Sequence, residues 1–113
     1  MPSERIERAF ADISRAIELI ESWIAEADGV DLALRDAKSR SAIERQLLVI
    51  SEAAIRLDKI DPTFAPGHAP DIDWPGVRGI GNFIRHKYDE LDVQVIADVL
   101  SHRLAALKAA VLR

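Results

Sequence analysis

Arg78, Asn82, Arg85 and His86 have the types and spacing to grip an anion and move a proton. With Val77 set at zero on a helix turning about 100° per residue, Arg85, Arg78, Asn82 and His86 fall near ~80°, ~100°, ~140° and ~180°. Ile80, Ile84 and Phe83 fall near ~300°, ~340° and ~240° on the same wheel, which makes that side the core-facing one. The opposite stripe is Arg, Arg, Asn and His, with no acid. A guanidinium presents a two-pronged fork that fits phosphate or carboxylate, and a neighbouring imidazole titrates near neutral pH. RNA phosphodiester cleavage needs no metal if a base takes the 2′-hydroxyl proton and cations stabilise the charged phosphorus centre. His86 suits the acid or base role, Arg78 and Arg85 the charge-stabilising role, and Asn82 the orienting of His86 or donation to a phosphate oxygen. One helix offers one His, so a mechanism with two proton transfers calls for a second copy of the chain.

The plain alternative is a solvated polar face with some positive charge. Three details count against it. Exposed faces elsewhere mix acids with bases, whereas from Trp74 to Tyr88 there are Arg78, Arg85 and Lys87 and no acid, +3 in a chain of formal net charge -4. Asn and His are mediocre helix formers, so propensity does not place them there. Gly79 and Gly81 flank the stripe and cost about 1 kcal/mol each against Ala, which suggests that something approaches the backbone closely.

The elements that must position these residues read as helices. A first helix is predicted over residues 3–27, with Ser3 as N-cap and Ile6, Phe10, Ile13, Ile17, Ile20 and Ile24 as one apolar stripe beside Trp23. Asp28-Gly29 ends it, with Gly29 suited to a left-handed cap. Asp31 is the candidate cap of a short helix over Leu32, Ala33 and Leu34. Residues 38–41 mark a break, or one helix runs straight through. The next long helix covers about residues 41–59, its main stripe being Ile43, Leu47, Ile50, Ala54 and Leu57. Leu48 and Ile55 lie on a second face, which favours a subunit interface. Residues 61–70 hold three of the five Pro and read as a loop, with His68 a solvated loop histidine. Asp73 caps the central helix and Pro75 fits its first turn. Residues 89–92 then turn, and Asp92 caps a last helix with a stripe of Val93, Ile96, Leu100, Leu104, Leu107 and Val111.

These elements make an all-α, up-and-down four-helix-type bundle with an additional short helix, a single domain over residues 1–113. Hydrophobic residues at 49 % with aromatics at only 5 % give a core of Leu, Ile, Val and Ala, which points to packed helices. The absence of Cys excludes disulfides, zinc-thiolate sites and cysteine nucleophiles, and fits a reducing cytoplasm. No signal peptide or membrane span is visible. A pI near 5.3 argues against broad nonspecific nucleic-acid binding but allows a local basic site. No metalloprotease motif or carboxylate cluster accompanies His86, and His102 with Asp98 four residues earlier reads as a surface ion pair. No Gly-rich phosphate loop after a strand and no serine triad is readable.

The chain resembles the small all-helical HEPN proteins formerly called DUF86, the HepT-like ribonuclease toxins. Three blocks carry the resemblance: Ala42-Ile-Glu-Arg-Gln-Leu-Leu-Val-Ile-Ser-Glu-Ala-Ala54; Asp73-Trp74 after a Pro-containing loop; and Arg78-Gly-Ile-Gly-Asn82-Phe-Ile-Arg-His86-Lys-Tyr88, followed by Asp92. The resemblance implies a metal-independent ribonuclease acting as the toxin of a toxin–antitoxin pair, without a cofactor. It implies a homodimer with two motif helices lining a shared cleft, an RNA substrate, and a nucleotidyltransferase antitoxin as partner. In some pairs that antitoxin adds AMP groups to the motif tyrosine, which matches Tyr88; the motif histidine matches His86. The family places an Arg four to six residues before its His, most often directly before Asn, and here Gly81 holds that place. Arg78 and Arg85 are the substitutes, about 20° apart around the helix. A non-catalytic docking module for a nucleotidyltransferase is the rival expectation, and a bundle with no site is a third. Trp74 reads as a core anchor, and Glu52 as a structural partner for Arg45 or Arg78.

Overall fold

The structure, a computed structural model, describes the backbone of residues 2–86 and 90–113. The described residues form an all-α bundle with extra short helices: α1 (Pro2–Glu26), α2 (Val30–Arg35), α3 (Ala37–Ile60), α4 (Phe64–His68), α5 (Trp74–Arg85), α6 (Glu90–His102) and α7 (Leu104–Val111).

α1 and α3 are the two long helices, and they pack along each other. Ala9, Ile13, Ala16, Ile17 and Ile20 of α1 meet Ile43, Leu47, Ile50, Ala53, Ala54 and Leu57 of α3 in one buried cluster. The three- and four-residue steps of both stripes bring them to one side of each helix. The ends of the α1 stripe, Ile6, Phe10 and Ile24, are half-buried, and so is Trp23. α5 lies against α3, α6 against α2, and α7 against α1.

Several boundaries differ from the sequence expectation, each for a local reason. α1 starts at Pro2, ahead of Ser3, with proline in a first turn that needs no backbone N–H bond. Its left-handed residue is Asp28, at φ 64°, with Gly29 after it at φ 135°. The Gly29 N–H reaches back to the Ile24 carbonyl at 3.0 Å and the Asp28 N–H to that of Ala25 at 3.2 Å, the paired bonds of a Schellman end. Gly29 then precedes α2 in an extended, positive-φ conformation that only glycine adopts readily, so Asp31 falls inside the first turn of α2 rather than capping it.

The break before α3 comes at Asp36, and residues 38–41 are helical. Asp36 caps α3 by accepting the Ser39 N–H at 2.8 Å. The proline-rich stretch contains α4, with Pro66 at its third residue, where a missing N–H is not needed. His68 is not solvated there. Its Nε2 donates to the Ala110 carbonyl of α7 at 3.0 Å, and its ring stacks on Phe64 and tilts against Phe10. α6 begins at Glu90, so Asp92 lies within its first turn rather than ahead of it. The expected last helix is two helices meeting at Arg103, because α6 serves α2 while α7 serves α1. Ile96, Leu100, Leu104, Leu107 and Val111 are all buried across that break.

Candidate functional site

α5 begins with the expected cap: the Asp73 carboxylate accepts the Gly76 N–H at 3.0 Å, and Pro75 sits in the first turn. Trp74 anchors this end. Its side chain is 2 % exposed, and Nε1 donates to the Ala69 carbonyl at 3.0 Å.

The seam between α5 and α3 is built on Ser51. Its hydroxyl, buried, donates to the Arg78 carbonyl at 2.7 Å. A Cβ on Gly81 would stand 2.8 Å from Ser51 Oγ and 3.3 Å from Ser51 Cβ and Arg85 Nη1, so a side chain there would force Ser51 to shift. Half of the paired-glycine signal is therefore internal packing of α3 on α5. Gly79 differs: it is exposed, and a Cβ there would meet nothing within 4 Å.

The four candidate residues divide into groups. Arg78 is 29 % exposed and turns toward α3, where its Nη1 lies 3.7 Å from Asp58 Oδ1. Arg85 is exposed, and its Nη1 lies 3.3 Å from the Cβ position of Gly81, folded back one turn toward the helix start. Asn82 is exposed between them. α5 ends at Arg85, and His86 is its C-cap, exposed at φ -118°, with its N–H on the Phe83 carbonyl at 3.1 Å. The wheel angle drawn for His86 thus assumes a helix that has already ended. Tyr88 and Lys87 lie outside the described residues.

Ser51 and Asp58 were missed in the sequence. Their signal was present, since both are polar residues at helical steps from Leu47 and Ala54 on the main stripe of α3. Glu52 is exposed, and Arg78 has Asp58 as its carboxylate instead.

The apolar side of α5 is only half-buried at Val77, Ile80, Phe83 and Ile84. Val77 and Ile80 line a groove of about 510 Å³ with Val95, Val99, Leu104 and Leu107, and none of the four candidate residues lines it. Val95 is 46 % exposed there, and Leu48 and Ile55 on α3 are half-buried. The His102–Asp98 pair is an open surface contact at 3.9 Å. Among the described residues, no three His, Asp or Glu side chains converge in a way that could hold a metal ion, and no helix is long and apolar enough to cross a membrane.

Asn82, Arg85 and His86 are all exposed toward the C-terminal end of α5, and none of the three is an acid. That is a donor set for an anion with an acid/base beside it. No curated protein and no solved structure matches the chain. The model of the HepT-like ribonuclease family, described as Ribonuclease HepT-like, matches residues 13–113, which takes in every helix described except the first half of α1. The chain belongs to the HepT-like ribonuclease family.

Proposed function

We propose that this chain is a metal-independent endoribonuclease, the toxin of a toxin–antitoxin pair, working in the cytoplasm as a homodimer that cleaves RNA in a cleft between two α5 helices. The observation that carries this is the acid-free, solvent-facing end of α5, with Asn82, Arg85 and His86 exposed together, in a chain of a ribonuclease family. His86 acts as the acid or base and Asn82 positions it or the phosphate. A guanidinium from Arg78 or Arg85 balances charge at phosphorus as it develops. One imidazole takes the 2′-hydroxyl proton, and the 2′-oxygen bonds to phosphorus. The P–O5′ bond breaks, and the leaving oxygen takes a proton from a second acid. With one His at each helix end, that second acid is the His86 of the other copy. The half-open apolar faces of α3 and α5 supply surface for such a mate. A nucleotidyltransferase antitoxin that adds AMP to Tyr88 would block the same cleft.

The second reading is a non-catalytic docking partner of a nucleotidyltransferase. It is favoured by Gly81, which stands where the family carries Arg and where a side chain would push against the buried Ser51. The two part in one assay. Mixed-sequence RNA is incubated in EDTA with the purified protein and with His86→Ala. Cleavage by the first and not the second is the expected result. A folded dimer free of AMP groups that leaves RNA intact would sink the nuclease and leave the docking module.

A further inference from the structure

We propose that Arg85, rather than Arg78, supplies the guanidinium that meets the scissile phosphate, and that the missing side chain at Gly81 is what seats it. The assignment rests on the nuclease reading above and names the residue that reading leaves open.

Two contacts divide the arginines. Arg78 is committed to the scaffold at both ends. Its carbonyl accepts the Ser51 hydroxyl at 2.7 Å, and its guanidinium faces the Asp58 carboxylate at 3.7 Å. An arginine already facing a carboxylate must give up that partner before it can serve a phosphate. Arg85 carries no such commitment to α3. Its guanidinium lies with Nη1 3.3 Å from the point where a residue-81 side chain would begin. Helical side chains lean toward the N-terminus, so a long side chain at position 85 covers position 81 one turn back. A side chain at 81 would compete for that space, and glycine leaves it open. The guanidinium of the following turn thereby occupies the space beside position 81, directly before Asn82. Arg78 is then a positioning residue, holding α5 on α3 through Asp58.

The test compares Arg85→Ala, Arg85→Lys and Arg78→Ala in two assays. The first is single-turnover cleavage of a mixed-sequence RNA in EDTA. The second is binding of the same sequence as 2′-O-methyl RNA, which lacks the attacking hydroxyl, by fluorescence anisotropy over a salt series. Arg85→Ala is expected to slow cleavage by about 100-fold or more, the scale for removing one donor to a developing charge. It also lowers the salt slope of binding by about 0.7, the value for one phosphate contact on a single strand. Arg85→Lys recovers part of the binding slope but little of the rate, because an ammonium lacks the fork. Arg78→Ala costs less in both assays and lowers the melting temperature. A greater loss of cleavage in Arg78→Ala than in Arg85→Ala overturns the assignment. If the unaltered protein binds but does not cleave, the nuclease reading fails, and Arg85 as the phosphate ligand stands or falls on the binding slopes alone. If it neither binds nor cleaves, both fall.

Discussion

Ser51 and Gly81 touch across the α3–α5 seam so closely that a single added carbon on Gly81 would lie 2.8 Å from the Ser51 hydroxyl. That hydroxyl is already used, donating to the Arg78 carbonyl. The contact fixes how near α5 approaches α3, and so where the exposed end of α5 points.

Gly81→Ala therefore sets two effects against each other. Ala is favoured over Gly in a helix by about 1 kcal/mol. Overpacking costs about 1–3 kcal/mol, and displacing Ser51 gives up a hydrogen bond worth about 1 kcal/mol. The clash is with a buried residue, so the packing terms win and a net loss of about 1–3 kcal/mol is expected. Ser51→Gly removes the Ser51 Oγ and Cβ that the new methyl would strike, leaving only Arg85 Nη1, the end of a flexible side chain, at 3.3 Å. The double variant should be more stable than the two single losses added together. Urea unfolding of the wild type, both singles and the double closes the cycle. Simple additivity within error would show that the seam is not set by this pair.

His68 is a structural residue, held by the Ala110 carbonyl at 3.0 Å and by Phe64 and Phe10, with ring centroids at 5.6 and 5.3 Å. Since the carbonyl only accepts, Nε2 carries the proton. His68→Ala is expected to destabilise by about 1–2 kcal/mol, from one hydrogen bond and one aromatic contact. His68→Phe keeps the rings and loses the bond, so it should fall between. RNA cleavage at a temperature where all three proteins are folded should be the same. A cleavage defect in His68→Ala without a stability loss would contradict the structural role.

The helical stripes were legible because they depend only on local spacing. Ile13, Ile17, Ile20, Ile43, Leu47, Ile50 and Leu57 are all buried as that spacing requires. The start of α5 was legible too, since Asp73 and Pro75 act within one turn. What stayed hidden depends on partners far along the chain. His68 is 42 residues from Ala110, and Ser51 is 27 residues from Arg78. The break at Arg103 follows from two packing partners, α2 and α1, that one regular stripe does not reveal. The lack of acids along α5 was readable from the sequence, but the helix angles drawn for its face did not foresee that His86 lies past the helix end. Which of its arginines is free was not readable, because that turns on Asp58 in another helix.

Acid should loosen the fold through its turn and cap carboxylates. The Asp36 carboxyl is held below its ordinary value of 3.8 by the Ser39 backbone N–H and then by the Ser39 hydroxyl. Asp61 is lowered chiefly by the Thr63 hydroxyl, and Asp71 by its own backbone N–H and then Arg113. A carboxyl that binds its proton less tightly when folded stabilises the fold above its unfolded pKa. That contribution is lost as pH falls through the folded one. Lys108, raised by Glu21, has the opposite sign: its contribution is present below 10.5 and lost as pH rises through its higher folded value. The urea midpoint should thus be level near neutrality and drop below about pH 4. Asp36→Asn tests the cap, because an amide oxygen still accepts the Ser39 N–H but does not titrate. It should match the wild type near neutral pH and lose less stability on acidification. Asp36→Ala, without any acceptor, should be weaker at neutral pH and approach the wild type in acid. Parallel acid profiles for all three proteins would remove Asp36 from the account of acid unfolding.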